Sequence, residues 1–494
     1  MSAAVIWGAL AVYVALGLLV AWRARARSSG GAVDFYLGNR AISGLLSGAS
    51  YAATTYSAFM MLGLAGLTYR GGVGALGFEL IYFAGLGLVL IFGPRFWIVG
   101  RRYGYVTPSE MLGARYSSRL LAGLVALLSC IFLVPYSAVQ LQGIGLLLSG
   151  TSGGEIPVAA GILIGAVLAA VWTLAAGLRS VALTDALQAI LMMASALLAL
   201  GFVIFALGGA GVFMERVETE YSAWLAQPGP GFFSFWTFLG LTLPWLFFSI
   251  SNPQVSQRLF TVKDPRAMRT MVIAFLGFGL VFTIVSILWG FAALLEAPDL
   301  ANPDLATPTL LASGLIPIWL SIPLLIGIIA AAITTVDSIV LTLASMVGRD
   351  IYRASSQSST EAREMAVGKA VIFIMLGAAS VFASFQLDLI SLLSVASSAG
   401  LLVVVPTIIG AFFWRRATAA GALASVIGGT ICVVALGFTG TNLWGVPYAV
   451  VAFVVTVILF IGVSLVTRPP EDRGKAFIDD IAPALRKWIG PKAG

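Results

Sequence analysis

Runs of about twenty apolar residues recur from one end of this chain to the other, each long enough to cross a bilayer as a helix. No other feature restricts the fold as much, because a backbone inside hydrocarbon must satisfy its own N–H and C=O groups. About thirteen spans can be drawn, over 3–22, 43–68, 75–99, 119–149, 156–177, 181–207, 233–253, 268–295, 317–348, 366–385, 389–413, 418–438 and 443–467, numbered 1 to 13 below. Only 10% of the 494 residues are charged, against about 25% in soluble domains. No series of short alternating strands is visible, which sets aside a transmembrane β-barrel. The expected class is an all-α polytopic membrane protein.

The basic residues orient these spans. With the N-terminus outside, Arg70 and Arg216 are the only ones assigned outside; the Arg23 cluster, Arg101-Arg102, Arg179, Arg258 to Arg269, Arg349 to Lys369, Arg415-Arg416 and the tail fall inside. One helix more or fewer would invert the alternation from the error onward, so the positive-inside rule favours N-terminus out and C-terminus in. Span 1 has no basic run before it, and Arg23, Arg25 and Arg27 follow it, an order that suits a membrane helix and not a signal peptide. The polar loops 208–232 and 296–316 are then external. The tail segment "FIDDIAPALRKWIG" is amphipathic and is expected on the inner membrane surface.

Several classes are excluded. The chain has no histidine, which removes the commonest proton shuttle and metal ligand. Cys130 and Cys432 are single thiols in apolar helices and imply neither a disulfide nor a metal cluster. No basic run with interleaved aromatics points to nucleic acid. No nucleophile–base pair marks an enzyme, and no organic cofactor is implied.

Three acids lie inside the spans: Glu79, Asp185 and Asp337. An ionisable residue at membrane depth is a functional-site hypothesis by default. No Lys or Arg is placed deep in a span to pair with them, so each must be protonated, hydrated or bound to a cation. Span 9 presents oxygens in order: Ala331, Thr334, Thr335, Ser338, Thr342 and Ser345 follow the spacing of one helix face, with Asp337 beside it. Hydroxyls on a helix face also serve helix packing, and that reading is preferred for Thr342 and Ser345. Beside Asp337, the pair Thr334 and Thr335 reads as cation ligands, since hard cations favour oxygen.

Spans 2–6 and 7–11 form two sets of five. An odd number per set inverts the second, and inverted five-helix repeats place their sites at interrupted helices near the midplane. The first helix of each set should then be broken. Span 2 contains "ASYAATTYSAF" and span 7 contains "PWLFFSISNP", the small, polar and Pro residues where unwinding is cheapest. The expected organisation is 1–42 (first helix and loop), 43–207 (repeat 1), 208–232 (outer loop), 233–413 (repeat 2), 414–467 (two added helices) and 468–494 (tail).

Span 9 with its continuation, "AAAITTVDSIVLTLASMVGRDIY", resembles the sodium-site helix of the sodium:solute symporter family, as do "VTPSEMLGARYSSRLL" (106–121), "GLRSVALTDALQAILM" (177–192), "NPQVSQRLF" (252–260) and "GAFFWRRATAAGALASVIGG" (410–429) in order and spacing. The resemblance implies a LeuT-like core in spans 2–11. It also implies a sodium site made of the Ala53 and Tyr56 carbonyls in span 2, the Ala331 carbonyl, and the Thr334 and Thr335 hydroxyls. A second cation site of some relatives maps onto Asp185, Thr334, Asp337 and Ser338, with Asp337 standing where a hydroxyl is more familiar. Two carboxylates there would bind a second ion or share a proton. The plain alternative for Asp185 is a helix cap.

By the same resemblance the solute is lined by Thr54, Thr55, Ser57, Ala58, Phe59 and Met60 of span 2, Glu79 of span 3, Tyr136 of span 4, and Trp245, Phe248 and Ser249 of span 7. Core packing is the plain alternative for any single aromatic among them. Met60 replaces a polar amide of the sugar-transporting branch and span 8 has no Lys, which disfavours a sugar. The implied function is symport of sodium with a short carboxylate or an amino acid by alternating access in a prokaryotic cytoplasmic membrane, by a monomer among lipids. Proton coupling on the same fold is one alternative, and a channel-like or sensor protein is another.

Overall fold

The computed structural model describes residues 1–25, 30–355, 360–387, 390–439 and 442–489. Arg27, the first residue of expected span 11 and the end of the tail lie outside them. Among the described residues the chain is helical throughout, and the β pairing consists of two isolated bridges, Ile42 with Val262 and Leu443 with Val446. Among the described residues, eleven helices are long and apolar enough to cross a membrane. They coincide with every expected span except 2 and 7, which are the two expected to be broken.

Both breaks are visible in the backbone. In span 2 the helix Gly44–Thr55 stops at Tyr56, whose φ of -97° and ψ of 74° are not helical. The chain resumes as a π-helical turn, Met60–Leu64, and then the helix Ala65–Gly71. In span 7 the helix Phe235–Leu246 is followed by the single turns Phe248–Ser251 and Pro253–Ser256. Asn252 between them is extended, at φ -85° and ψ 113°. Its successor is Pro253, whose ring disfavours a helical preceding residue and offers no N–H to continue the ladder.

Span 9 is the central helix. Ile318–Met346 continues into a π-helical segment, Val347–Arg353, and every side chain from Leu324 to Met346 is buried. Its polar residues therefore face protein and not lipid, the condition under which such groups are tolerated at membrane depth. Spans 5 and 6 meet at Gly177, which has φ +62° and lies so close to the chain at Phe35 that a Cβ would sit 2.5 Å from that residue's carbonyl oxygen. Glycine alone meets both demands without strain.

The two ends of the bundle differ. On the face carrying Met1, the segment 303–312 folds inward, and the Thr307 hydroxyl donates to the Met61 carbonyl in the broken part of span 2. On the opposite face, Arg349 binds Glu110 at 3.0 Å and Glu364 at 3.7 Å, while Arg353 reaches Glu364 at 3.2 Å. The tail also packs against this face. Phe477 is fully buried beside Tyr103, Tyr105 and Phe412, and Ile481 is buried as well. Arg102 and Arg415 pair with Asp480 and Asp479. The apolar stripe of the tail covers protein, a use of amphipathicity that sequence cannot distinguish from lipid contact.

Candidate cation and solute site

Spans 2 and 9 meet at the break. The Thr334 hydroxyl donates to the Ala331 carbonyl at 2.9 Å and lies 3.2 Å from the Ala53 carbonyl. The Thr335 hydroxyl donates to the same Ala331 carbonyl at 3.1 Å. All four side chains involved, Ala53, Ala331, Thr334 and Thr335, are buried. Tyr56, whose carbonyl completes the expected set, sits where the helix ends. The donor set is oxygen alone, carbonyl and hydroxyl, with the chemistry a small dehydrated cation takes. Without a cation, each hydroxyl can turn its proton onto a neighbouring carbonyl.

A second cluster lies beside it. The Ser50 hydroxyl donates to Asp185 at 2.6 Å, and the Thr54 and Ser338 hydroxyls are 3.1 Å apart. Ser338 also donates to the Thr334 carbonyl at 2.7 Å and stands 3.3 Å from Asp337. Asp185 lies well inside the helix Gly177–Ala206, so it is not a helix cap. One residue changes the electrostatics. Arg258, expected in a loop after span 7, is buried, and its guanidinium contacts Asp185 at 3.2 Å, Ser338 at 2.5 Å and Ser50. The expectation that no arginine reaches these acids is therefore corrected. The chain turns back into the core at Asn252–Pro253, and the short turns that follow carry Gln254, Gln257 and Arg258 as buried residues.

The expected solute liners gather around an aromatic box. Trp245 and Phe248 stack at 5.1 Å, Phe59 lies 4.8 Å from Trp245, and Tyr136 lies 6.1 Å from Phe248. Tyr82, which sequence reasoning did not single out, stands edge-on to Trp245 at 4.5 Å, and its hydroxyl donates to the Thr55 carbonyl at 3.1 Å. Its signal was present as the residue one helical turn from Glu79. Among the described residues, both oxygens of Glu79 meet no hydrogen-bond donor, nor do the Trp245 Nε1 and both amide atoms of Gln140 find partners. Buried polar groups in native proteins are nearly always paired, so these atoms are suited to a ligand.

Other expected liners serve the backbone. The Thr55 hydroxyl donates to the Tyr51 carbonyl, Ser57 accepts from the Phe59 N–H, and Thr54 donates to the Ser50 carbonyl. Ser249 donates to the Gly85 carbonyl at 2.9 Å. Ala58 and Met60 are buried at the break itself.

The sequence profile of the sodium:solute symporter family matches residues 35–429, a stretch that includes both breaks and the whole of span 9. The chain belongs to the sodium:solute symporter family. This symporter is 31% identical over 437 residues to the sodium/pantothenate symporter of Escherichia coli, covering 83% of this chain and 86% of the relative. It is 26% identical to the sodium/pantothenate symporter of Haemophilus influenzae, covering 87% of this chain and 89% of the relative. Its fold is similar to that of a Na+-coupled sialic acid symporter captured substrate-bound and outward-open, with a TM-score of 0.78 at 20% identity over 94% of this chain and 98% of that one. The architecture is thus the LeuT-like one expected, and the protein is an integral membrane secondary transporter, not an enzyme.

Proposed function

We propose that this symporter couples the entry of sodium to the uptake of a small organic solute by alternating access, with the N-terminus outside and the arginine-rich face in the cytoplasm. The observation that carries this reading is the meeting of the Thr334 hydroxyl with the Ala53 carbonyl at the break in span 2, beside the Thr335 hydroxyl on the Ala331 carbonyl. Sodium there would be held by Ala53, Tyr56, Ala331, Thr334 and Thr335. It would join the broken helix to the central one beside the solute pocket. Each sodium moving inward contributes about 2.3 kcal/mol per 100 mV of membrane potential.

The solute would lie among Phe59, Glu79, Tyr82, Tyr136, Trp245 and Phe248. The unpaired Glu79 carboxylate favours a solute with an ammonium or hydroxyl donor, so an amino acid or a hydroxylated carboxylate fits better than a plain monocarboxylate. Pantothenate, named for two relatives, is a carboxylate of the second kind. A sodium-dependent thermal-shift screen of the purified protein across amino acids, carboxylates, vitamins and sugars tests the reading, followed by uptake into proteoliposomes. Uptake that survives sodium-free buffer and collapses with the pH gradient would replace sodium by the proton.

A further inference from the structure

Spans 3 and 8 pack against each other where they reach the arginine-rich face, and the tail helix Ala482–Ile489 lies against their ends. Between the three is a cavity of about 180 Å³, lined by Val89, Leu90 and Pro94 of span 3, Met268 and Val272 of span 8, and Trp488 of the tail. Trp488 is buried and fixed by two contacts. Its ring stands edge-on to Trp97 at 4.9 Å, and the Arg269 guanidinium donates to its carbonyl at 2.5 Å. Tryptophans at the ends of membrane helices mark the membrane–water interface. Leu90 and Ile91 on span 3 and Ile273 on span 8 are exposed apolar side chains, so the cavity opens between lipid-facing surfaces.

The cavity is apolar at depth and basic at its mouth. Span 3 runs toward this face and span 8 away from it, so Val89 and Val272 lie deeper than Pro94 and Arg269. Arg269 itself lines the mouth. A guanidinium has five N–H donors, and the Trp488 carbonyl leaves most of them available. Arg486 and Lys487 stand in the last turn of the tail helix, next to Trp488, and both are exposed. Among the described residues, none of these three cations pairs with a carboxylate. Elsewhere on the same face Arg102, Arg349, Arg353 and Arg415 are all paired. An apolar slot open to the bilayer, ending in unpaired cations, matches a phospholipid with an anionic headgroup. Basic pockets between membrane helices recognise such headgroups, and each cation near the surface strengthens attachment roughly fivefold.

We infer that this cavity binds an anionic phospholipid, with an acyl chain against Val89, Met268 and Val272 and the phosphate held by Arg269, Arg486 and Lys487. The lipid joins spans 3 and 8 to a tail that lies beyond the stretch matched by the family profile. The test is native mass spectrometry of the purified full chain in detergent, offered equal amounts of phosphatidylglycerol and phosphatidylcholine with the same acyl chains. The wild type is expected to retain phosphatidylglycerol with a preference of about tenfold or more. Arg486→Gln combined with Lys487→Gln leaves the Arg269 contact in place and should lower that preference about fivefold or more. Val272→Trp fills the cavity, keeps all three cations and should remove the retained lipid. Equal retention of the two lipids by the wild type overturns the proposal, and so does either variant retaining phosphatidylglycerol as the wild type does. A rise in melting temperature with inorganic phosphate equal to that with phosphatidylglycerol also overturns it, because an anion site without a lipid would then suffice. If Val272→Trp does not fold, the double variant, altered only at exposed side chains, decides together with the wild type.

Discussion

Thr334→Val keeps the branched shape of the side chain and removes its hydroxyl. That hydroxyl spans the break, donating to the Ala331 carbonyl at 2.9 Å with the Ala53 carbonyl 3.2 Å away. Losing a neutral hydrogen bond of this kind costs about 1 kcal/mol of stability, which leaves the protein folded. The cation loses more. A polar contact to a charged partner contributes about 1.5–3 kcal/mol, which corresponds to a sodium affinity roughly 10- to 150-fold weaker. The assay is a sodium titration of the melting temperature, with choline replacing sodium at constant ionic strength. At a sodium concentration 100 times the dissociation constant, binding stabilises the wild type by about 2.7 kcal/mol, and a hundredfold loss of affinity leaves about 0.4 kcal/mol. Thr334→Ser retains the oxygen and should titrate within about threefold of the wild type, since only a methyl group is lost. If Thr334→Val and Thr335→Val both titrate like the wild type, the sodium site is not where the hydroxyls are.

Glu79→Gln should abolish the thermal shift given by the transported solute while preserving the shift given by sodium; loss of both would place Glu79 in the fold and not in the pocket. Gly177→Ala should destabilise the protein by more than about 1 kcal/mol, because it forces a Cβ onto a positive φ, and a melting curve in detergent equal to that of the wild type would refute the close approach to Phe35. Phe477→Ala removes the buried anchor of the tail, a loss of about 3–5 kcal/mol in local packing. Limited proteolysis should then cut between residues 468 and 489 far faster than in the wild type, and unchanged cleavage would contradict the docked tail.

Much of this symporter was legible in its sequence because the membrane imposes a simple rule. Hydrocarbon admits long apolar helices, so about thirteen spans could be drawn from the sequence, and eleven of them coincide with long apolar helices among the described residues. The two that the structure breaks were marked by residues with local causes, Pro253 in one and the run of small and hydroxyl residues around Tyr56 in the other. The hydroxyl face of span 9 followed from helical periodicity alone. The aromatic box was less legible. Tyr82, Trp245 and Tyr136 come from spans distant in sequence, and an aromatic in an apolar helix looks the same whether it packs a core or lines a pocket.

By itself, then, the sequence determined the class, the number and kind of spans, the places where two of them unwind, and the oxygens that one helix presents. Only the tertiary structure decided what those oxygens and acids face. Hydropathy averages over a window, so the polar stretch after Pro253 looked like a loop leaving the membrane. The fold instead turns it inward and sets the Arg258 guanidinium against the buried Asp185 at 3.2 Å, and a carboxylate buried there without a partner would be strongly destabilising. Likewise the tail, amphipathic in any environment, could be seen to pack against protein only once Tyr103, Tyr105 and Phe412 were placed around Phe477.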